Sequence, residues 1–181
     1  CFRGLHYMHK SHRLHRDIKS DNVLIFYEDA SVKIKLADFG LVKDMDAVRA
    51  RDRMSTAGTK YWMAPEVQDP DVYSYSYEAD MWSMGIMALE LAQWNPPHIR
   101  LLKTERVRDA VLKSKAPRLD KSHPWSAEFQ HFVHSMLQKE PSHRMSLDEA
   151  MVHPFLQKAC SRDEMFLFLV ELSEEKRRRG M

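Results

Sequence analysis

His15-Arg16-Asp17-Ile18-Lys19-Ser20-Asp21-Asn22 is the stretch on which the reading of this chain turns. It sets an aspartate, a lysine two residues on and an asparagine three further within one short loop. Asp38-Phe39-Gly40 follows it, and Ala64-Pro65-Glu66 comes after that. Each pattern alone has a real rate of chance matches. In this order and at these spacings they are hard to obtain by accident.

Working outward from the octet, Phe2, Leu5 and Met8, with Tyr7 between them, recur at helical spacing, so residues 1–13 are expected to form the end of a helix. Downstream, Val23-Leu24-Ile25-Phe26 and Val32-Lys33-Ile34-Lys35-Leu36 are short β-branched runs, and the segment 27–31 between them suits a small hairpin. From Leu41 to Met63 no period holds and Ser, Thr, Arg and Asp dominate, which predicts a long functional loop. Glu78 to Trp94 is apolar on most sides, as in a centrally buried helix, and Asn95-Pro96-Pro97 ends it. Helical patterns follow at 102–112, 126–138 and 146–153. Ser126 with Glu128 and Ser146 with Glu149 mark two of their starts, the second as a Ser-x-x-Glu capping box. A last helix over 162–172 is expected to run into a solvated tail, Glu174-Glu175-Lys176-Arg177-Arg178-Arg179. There is no internal repeat and no low-complexity tract. The fold class expected is mainly α with a minor β element.

At 181 residues the chain can bury one substantial core, and its 44% hydrophobic and 30% charged residues are those of an ordinary globular protein. A formal charge of +2 is too small to argue for nucleic acid or an anionic membrane as the main partner. Cys1 and Cys160 are the only cysteines, which excludes a disulfide framework and points to a reducing, cytoplasmic setting. No apolar run approaches the ~18 residues of a membrane span. An opening without Met, already in an amphipathic pattern and with no signal-peptide character, leads us to expect a fragment of something longer.

The motifs resemble those of the C-terminal lobe of a eukaryotic protein kinase, over about residues 1–157. Lys19 in the octet matches the serine/threonine type; tyrosine kinases usually carry Ala-Ala-Arg or Arg-Ala-Ala there. Gly58-Thr59-Lys60-Tyr61-Trp62-Met63-Ala64-Pro65-Glu66-Val67 is similar to the STE group, particularly its sterile-twenty-like and Rho-GTPase-activated branches, as is the late His153-Pro154-Phe155-Leu156. Lys60 departs from the family, where many relatives have Pro. The resemblance implies a kinase-like lobe at 1–157 with a small β-hairpin and no N-terminal β lobe, then a C-terminal helix and basic tail at 158–181.

Phosphoryl transfer asks for positioned charge rather than covalent help. In that chemistry Asp17 would accept, or at least orient, the proton of the attacking hydroxyl, and Lys19 would neutralise charge on the transferred group. Asn22 and Asp38 are hard oxygen donors suited to Mg²⁺, so ATP and Mg²⁺ are the implied cofactors, with protein substrates as partners. By resemblance Thr59 would hydrogen-bond beside Asp17 and Lys19, and Leu24 would floor the adenine. Likewise Asp80 would anchor the catalytic-loop backbone, Glu66 and Arg144 would form a buried ion pair, and His15 would stack with Phe39. Arg16 would order the loop by pairing with a phosphate on Ser55 or Thr56, Ser55 being preferred on its spacing before Gly58. An upstream activating kinase or a Rho-family GTPase is the implied regulator.

Several features are discounted. His6, His9, His12 and His15 recur every three residues, whereas zinc ligands on one helix usually sit at i, i+4, so no metal is expected there. His131 and His134 are expected to form a solvated patch. Arg49, Arg51 and Arg53 read as a solvated run. Lys35 lies three residues before Asp38 and belongs to the hairpin, so it is not the lysine that contacts the α/β-phosphates. The glycines, Gly4, Gly40, Gly58, Gly85 and Gly180, form no Gly-x-Gly-x-x-Gly. The chain alone is therefore expected to be inactive, its N-terminal lobe a missing partner. The alternative is a kinase-like scaffold that never phosphorylates; the completeness of Asp17, Lys19, Asn22 and Asp38 argues against it.

Overall fold

The long buried helix expected at the centre exists as α3, Glu78–Gln93, and the molecule is arranged around it. The computed structural model describes residues 1–28, 31–48, 54–121 and 123–180. Arg49, Arg51 and Arg53 lie outside the described residues, as do residues 29 and 30 of the expected hairpin turn. Chain order is α1 (Phe2–Lys10), β1 (Arg13–Leu14), a 3₁₀ turn (Ser20–Asn22), β2 (Val23–Glu28), β3 (Ser31–Leu36) and β4 (Lys43–Asp44). The helices α2 (Pro65–Gln68), α3, α4 (Thr104–Lys113), α5 (Ala127–Met136), α6 (Leu147–Met151), α7 (Pro154–Gln157) and α8 (Arg162–Arg178) follow, with a 3₁₀ turn at Pro141–His143 before α6.

The fold is mainly helical with two small antiparallel sheets. β2 and β3 form the hairpin, Val23 opposite Leu36 and Ile25 opposite Ile34. β4 was not expected: Lys43–Asp44 lies in the segment read as loop and pairs with β1, Arg13 opposite Asp44. A two-residue strand has no period to read, and its partner lies about thirty positions upstream.

Ten residues of α3 are buried, among them Trp82, Met84, Ile86 and Leu89, because the helix is covered on nearly all sides. The C-terminal end of α5 packs on it closely enough that a Cβ on Gly85 would stand 2.8 Å from Leu137 Cδ2, so any larger residue there would force Leu137 to shift. α1 packs on α6, α2 on α4 and α8 on β3. Ser146 and Glu149 form the expected capping box at α6. At α5 the Ser126 hydroxyl accepts from the Phe129 N–H, and Glu128 pairs with Lys158 at 2.5 Å. The expected solvated tail is helical to Arg178. A second capping box, Ser161 with Glu164, starts α8, and i,i+4 pairs of Arg178 with Glu174 and Arg179 with Glu175 support its last turns. Among the described residues no helix is long and apolar enough to cross a membrane.

Candidate active site

The octet leaves β1 as an irregular loop and ends in the 3₁₀ turn Ser20–Asn22, and its shape is imposed from α3. Asp80, fully buried in the first turn of that helix, accepts the backbone N–H groups of His15 and Arg16, each at 2.9 Å. The same carboxylate lies 2.8 Å from His9 Nε2 on α1. This grip holds Arg16 in the left-handed region at φ 70°. Gly58 then approaches the Arg16 carbonyl so closely that a Cβ would stand 2.3 Å from it, and its own φ is +118°. Only glycine can pass there.

Asp17 is buried at the focus of the loop. Thr59 Oγ1 donates to its Oδ1 at 2.6 Å; Lys19 Nζ stands 3.0 Å from Oδ2, and Asn22 Nδ2 donates to Oδ2 at 3.0 Å. Lys19 also donates to Thr59 Oγ1 at 2.8 Å, closing a ring of contacts. Burial by itself would push the Asp17 carboxyl up. The hydrogen bonds from Thr59 and Lys19, the Lys19 charge and the Asn22 amide outweigh it and hold the group below its ordinary value. A carboxylate stabilised in this way is a weak proton sink at rest and chiefly an acceptor that orients an incoming hydroxyl.

Asn22 Nδ2 also donates to the Asp17 carbonyl at 2.8 Å, so the amide oxygen is the group left to face outward. Asp38 is exposed, in the left-handed region at φ 59°, with Oδ1 accepting the Gly40 N–H at 3.2 Å. An amide oxygen and an exposed carboxylate are the hard donors Mg²⁺ takes, and such an ion keeps several waters and phosphate oxygens as its other ligands. The donor set fits. The Phe39 ring lies 5.7 Å from that of His15 at 60°, and Phe39 and Leu24 are 56% and 53% exposed, an apolar surface beside the loop.

Arg16 projects toward the segment that leads into Gly58. Its Nε donates to the Leu41 carbonyl at 2.6 Å, and Nη1 reaches both Ser55 Oγ and Tyr75 Oη at 3.3 Å. Tyr75 Oη donates to the Ser55 carbonyl at 2.8 Å. Ser55 and Thr56 are both exposed, and Arg16 contacts the Ser55 hydroxyl. Glu66 and Arg144 meet as a bidentate pair at 2.5 and 2.6 Å, with the Arg144 side chain wholly buried.

Sequence reasoning missed Tyr75 and Glu90, because each acts across some twenty to seventy positions with no local signature. Glu90 accepts from Ser20 Oγ at 2.6 Å and Trp62 Nε1 at 2.9 Å, tying the octet to the segment before Ala64. The histidine run has structural partners: His6 bonds Asp148, His9 bonds Asp80 and His12 bonds Asp46. These carboxylates come from 34 to 142 positions away in the sequence, which the spacing could not reveal. His131, expected with His134 in a solvated patch, is exposed and also pairs with His153 at 2.9 Å, its ring stacked at 9°.

The family model described as "Protein kinase domain" matches residues 1–156. Among curated relatives, serine/threonine-protein kinase pakA of Dictyostelium discoideum is 41% identical over 164 residues, 91% of this chain and 13% of that protein. Serine/threonine-protein kinase 10 of Xenopus tropicalis is 39% identical over 176 residues, covering 95% of this chain and 18% of the relative. Serine/threonine-protein kinase pakB of Dictyostelium discoideum is 37% identical over 174 residues, 96% of the chain and 20% of the relative. The chain thus spans a fifth or less of the length of these relatives.

Proposed function

The chain belongs to the protein kinase domain family, serine/threonine type, and from that premise we propose that its residues form the catalytic-loop lobe of an enzyme that transfers the γ-phosphoryl group of Mg-ATP to serine or threonine hydroxyls of proteins. Residues 1–157 would be that lobe and 158–181 an appended helix with its basic end. The observation that carries the reading is the contact ring of Asp17, Lys19, Asn22 and Thr59, with Asp38 exposed beyond it.

In that reading Asp17 accepts the substrate hydroxyl's hydrogen bond and aligns its oxygen. Lys19, also bonded to Thr59, brings positive charge to where the transferred phosphoryl group gains negative charge. Asn22 and Asp38 would hold Mg²⁺, which supplies charge neutralisation to the nucleotide phosphates when bound. Leu24 would lie under the adenine. Phosphorylated Ser55 would add one to three charge-assisted hydrogen bonds with Arg16, ordering the segment up to Gly58. The sequence holds no Gly-x-Gly-x-x-Gly, so the phosphate cradle would come from further polypeptide, and these 181 residues by themselves are expected not to phosphorylate. The free thiols of Cys1 and Cys160 suit a reducing, cytoplasmic setting.

The test is a protein-kinase assay on the domain with its Gly-rich loop and strand lysine included. Asp17→Asn should lower kcat by several orders of magnitude with the fold kept, and Asp38→Ala should also abolish Mg²⁺-dependent nucleotide binding. Full activity of Asp38→Ala at limiting Mg²⁺ would overturn the assignment. A complete domain that binds no Mg-ATP would favour the scaffold reading.

A further inference from the structure

The segment that leads into Gly58 is held at two neighbouring residues by one short stretch of chain. The Met54 N–H donates to the Tyr73 carbonyl at 2.8 Å, and Tyr75 Oη donates to the Ser55 carbonyl at 2.8 Å. Met54 and Tyr75 are 6% and 8% exposed and belong to the apolar core, so packing fixes the Tyr75 ring and presents its hydroxyl to the segment. Only Thr56, Ala57 and Gly58 separate Ser55 from Thr59, whose hydroxyl donates to Asp17. Arg16 flanks the same stretch at both ends, with Nη1 at Ser55 Oγ and its backbone carbonyl against Gly58.

Tyr75 Oη has one proton, and it goes to the Ser55 carbonyl. The oxygen lone pairs are left for Arg16 Nη1, 3.3 Å away. One hydroxyl thus links a fixed cation to the backbone of Ser55. Arg16 is itself anchored, its Nε to the Leu41 carbonyl and its backbone N–H to Asp80. Among the described residues its guanidinium meets neutral oxygens, those of Leu41, Ser55 and Tyr75. The two contacts at 3.3 Å are at the long end of hydrogen bonding, so a stronger acceptor would displace them.

We propose that Tyr75 is a positioning residue that acts before the phosphate does: its hydroxyl clasps unmodified Ser55 to Arg16 and keeps Thr59 on Asp17, and a phosphate on Ser55 then takes Arg16 over. This rests on the reading of Ser55 as the regulatory phosphosite. A phosphate brings three acceptor oxygens and a charge of about −2, against the neutral phenol of Tyr75. Order in the segment therefore precedes phosphorylation, and Tyr75 matters most while Ser55 is bare.

Amide hydrogen exchange on the 181-residue chain, unmodified and with phosphoserine incorporated at position 55, tests the clasp without relying on catalysis. In the unmodified chain Tyr75→Phe should speed exchange of the Met54 amide about three- to tenfold, the factor for losing roughly one hydrogen bond, while amides inside α3 keep their rates. With phosphate on Ser55 the same substitution should change that rate less than about twofold, because the phosphate holds Arg16. Equal acceleration in both forms would make Tyr75 a merely structural side chain and overturn the proposal, as would no acceleration in the unmodified form. In the complete kinase domain, Tyr75→Phe should lower kcat/KM by a similar factor on a Ser55→Ala background and leave the Ser55-phosphorylated enzyme within about twofold. A complete domain without kinase activity would sink the catalytic reading alone; the exchange ratio still decides the clasp.

Discussion

Removing the Glu66 carboxylate strands a guanidinium in the interior. The Arg144 side chain is 0% exposed and Glu66 only 10%, so solvent cannot take over the charge. Arg144 does keep other partners: Nε donates to the Gln138 carbonyl at 2.7 Å, Nη1 to the Glu78 carbonyl at 2.9 Å and Nη2 to the Lys139 carbonyl at 3.2 Å. Its guanidinium also lies 5.1 Å from the centre of the Trp82 ring. Those neutral oxygens soften the loss without neutralising the charge. Glu66→Ala is therefore expected to cost about 3–5 kcal/mol, the range for breaking one side of a buried pair. Against the roughly 5–15 kcal/mol that holds a domain folded, this is a large fraction. At about 2–4 °C per kcal/mol for a chain of this size, Tm should fall by roughly 6–20 °C. Urea unfolding followed by circular dichroism measures it. A paired variant, Glu66→Leu with Arg144→Met, should lose less than the sum of the two single changes, since no lone charge remains. A loss under about 1 kcal/mol for Glu66→Ala, or strict additivity in the double variant, would refute the view that the buried charge sets the cost.

Other outcomes follow from the same structure. In the proposed reading, mass spectrometry of the active, complete kinase domain should find phosphate on Ser55, and Ser55→Ala should lower its activity; unchanged activity with phosphorylated Thr56 would move the role one residue on. His98, His134 and His153 are all held below their usual pKa, by burial first, then by Lys139 beside His98, by Arg118 and His131 beside His134, and by His131 beside His153, where Glu128 opposes in part. The unfolded chain takes up these protons near pH 6.5 while the folded one resists, so stability should fall as pH drops below about 6.5. A urea midpoint that rises between pH 7 and 5.5 would contradict this. Gly85→Ala should lower Tm, because overpacking against Leu137 and Met136 at 2.8–3.0 Å costs about 1–3 kcal/mol and outweighs a helix-propensity gain of about 1 kcal/mol; a raised Tm would show that α5 can yield.

What could be read from the residues in order was whatever is written locally. The buried helix at Glu78–Gln93, the hairpin runs and the Ser146 capping box each depend on periods and offsets of a few residues, and the structure holds all of them. The motifs Asp17–Asn22, Asp38–Gly40 and Ala64–Glu66 are likewise short enough to be recognised by spacing. Tertiary structure decided which side chains meet across the chain. Asp80 grips a backbone sixty-four positions away in sequence, Tyr75 reaches Arg16, and Glu90 reaches Ser20 and Trp62. Their pairing leaves no periodic trace, because a hydrogen bond needs only two groups within about 3 Å and places no demand on the residues between them. His6, His9 and His12 show the difference most plainly: their spacing named no partner, whereas the fold gives each its own carboxylate, Asp148 on α6, Asp80 on α3 and Asp46 in the turn after β4.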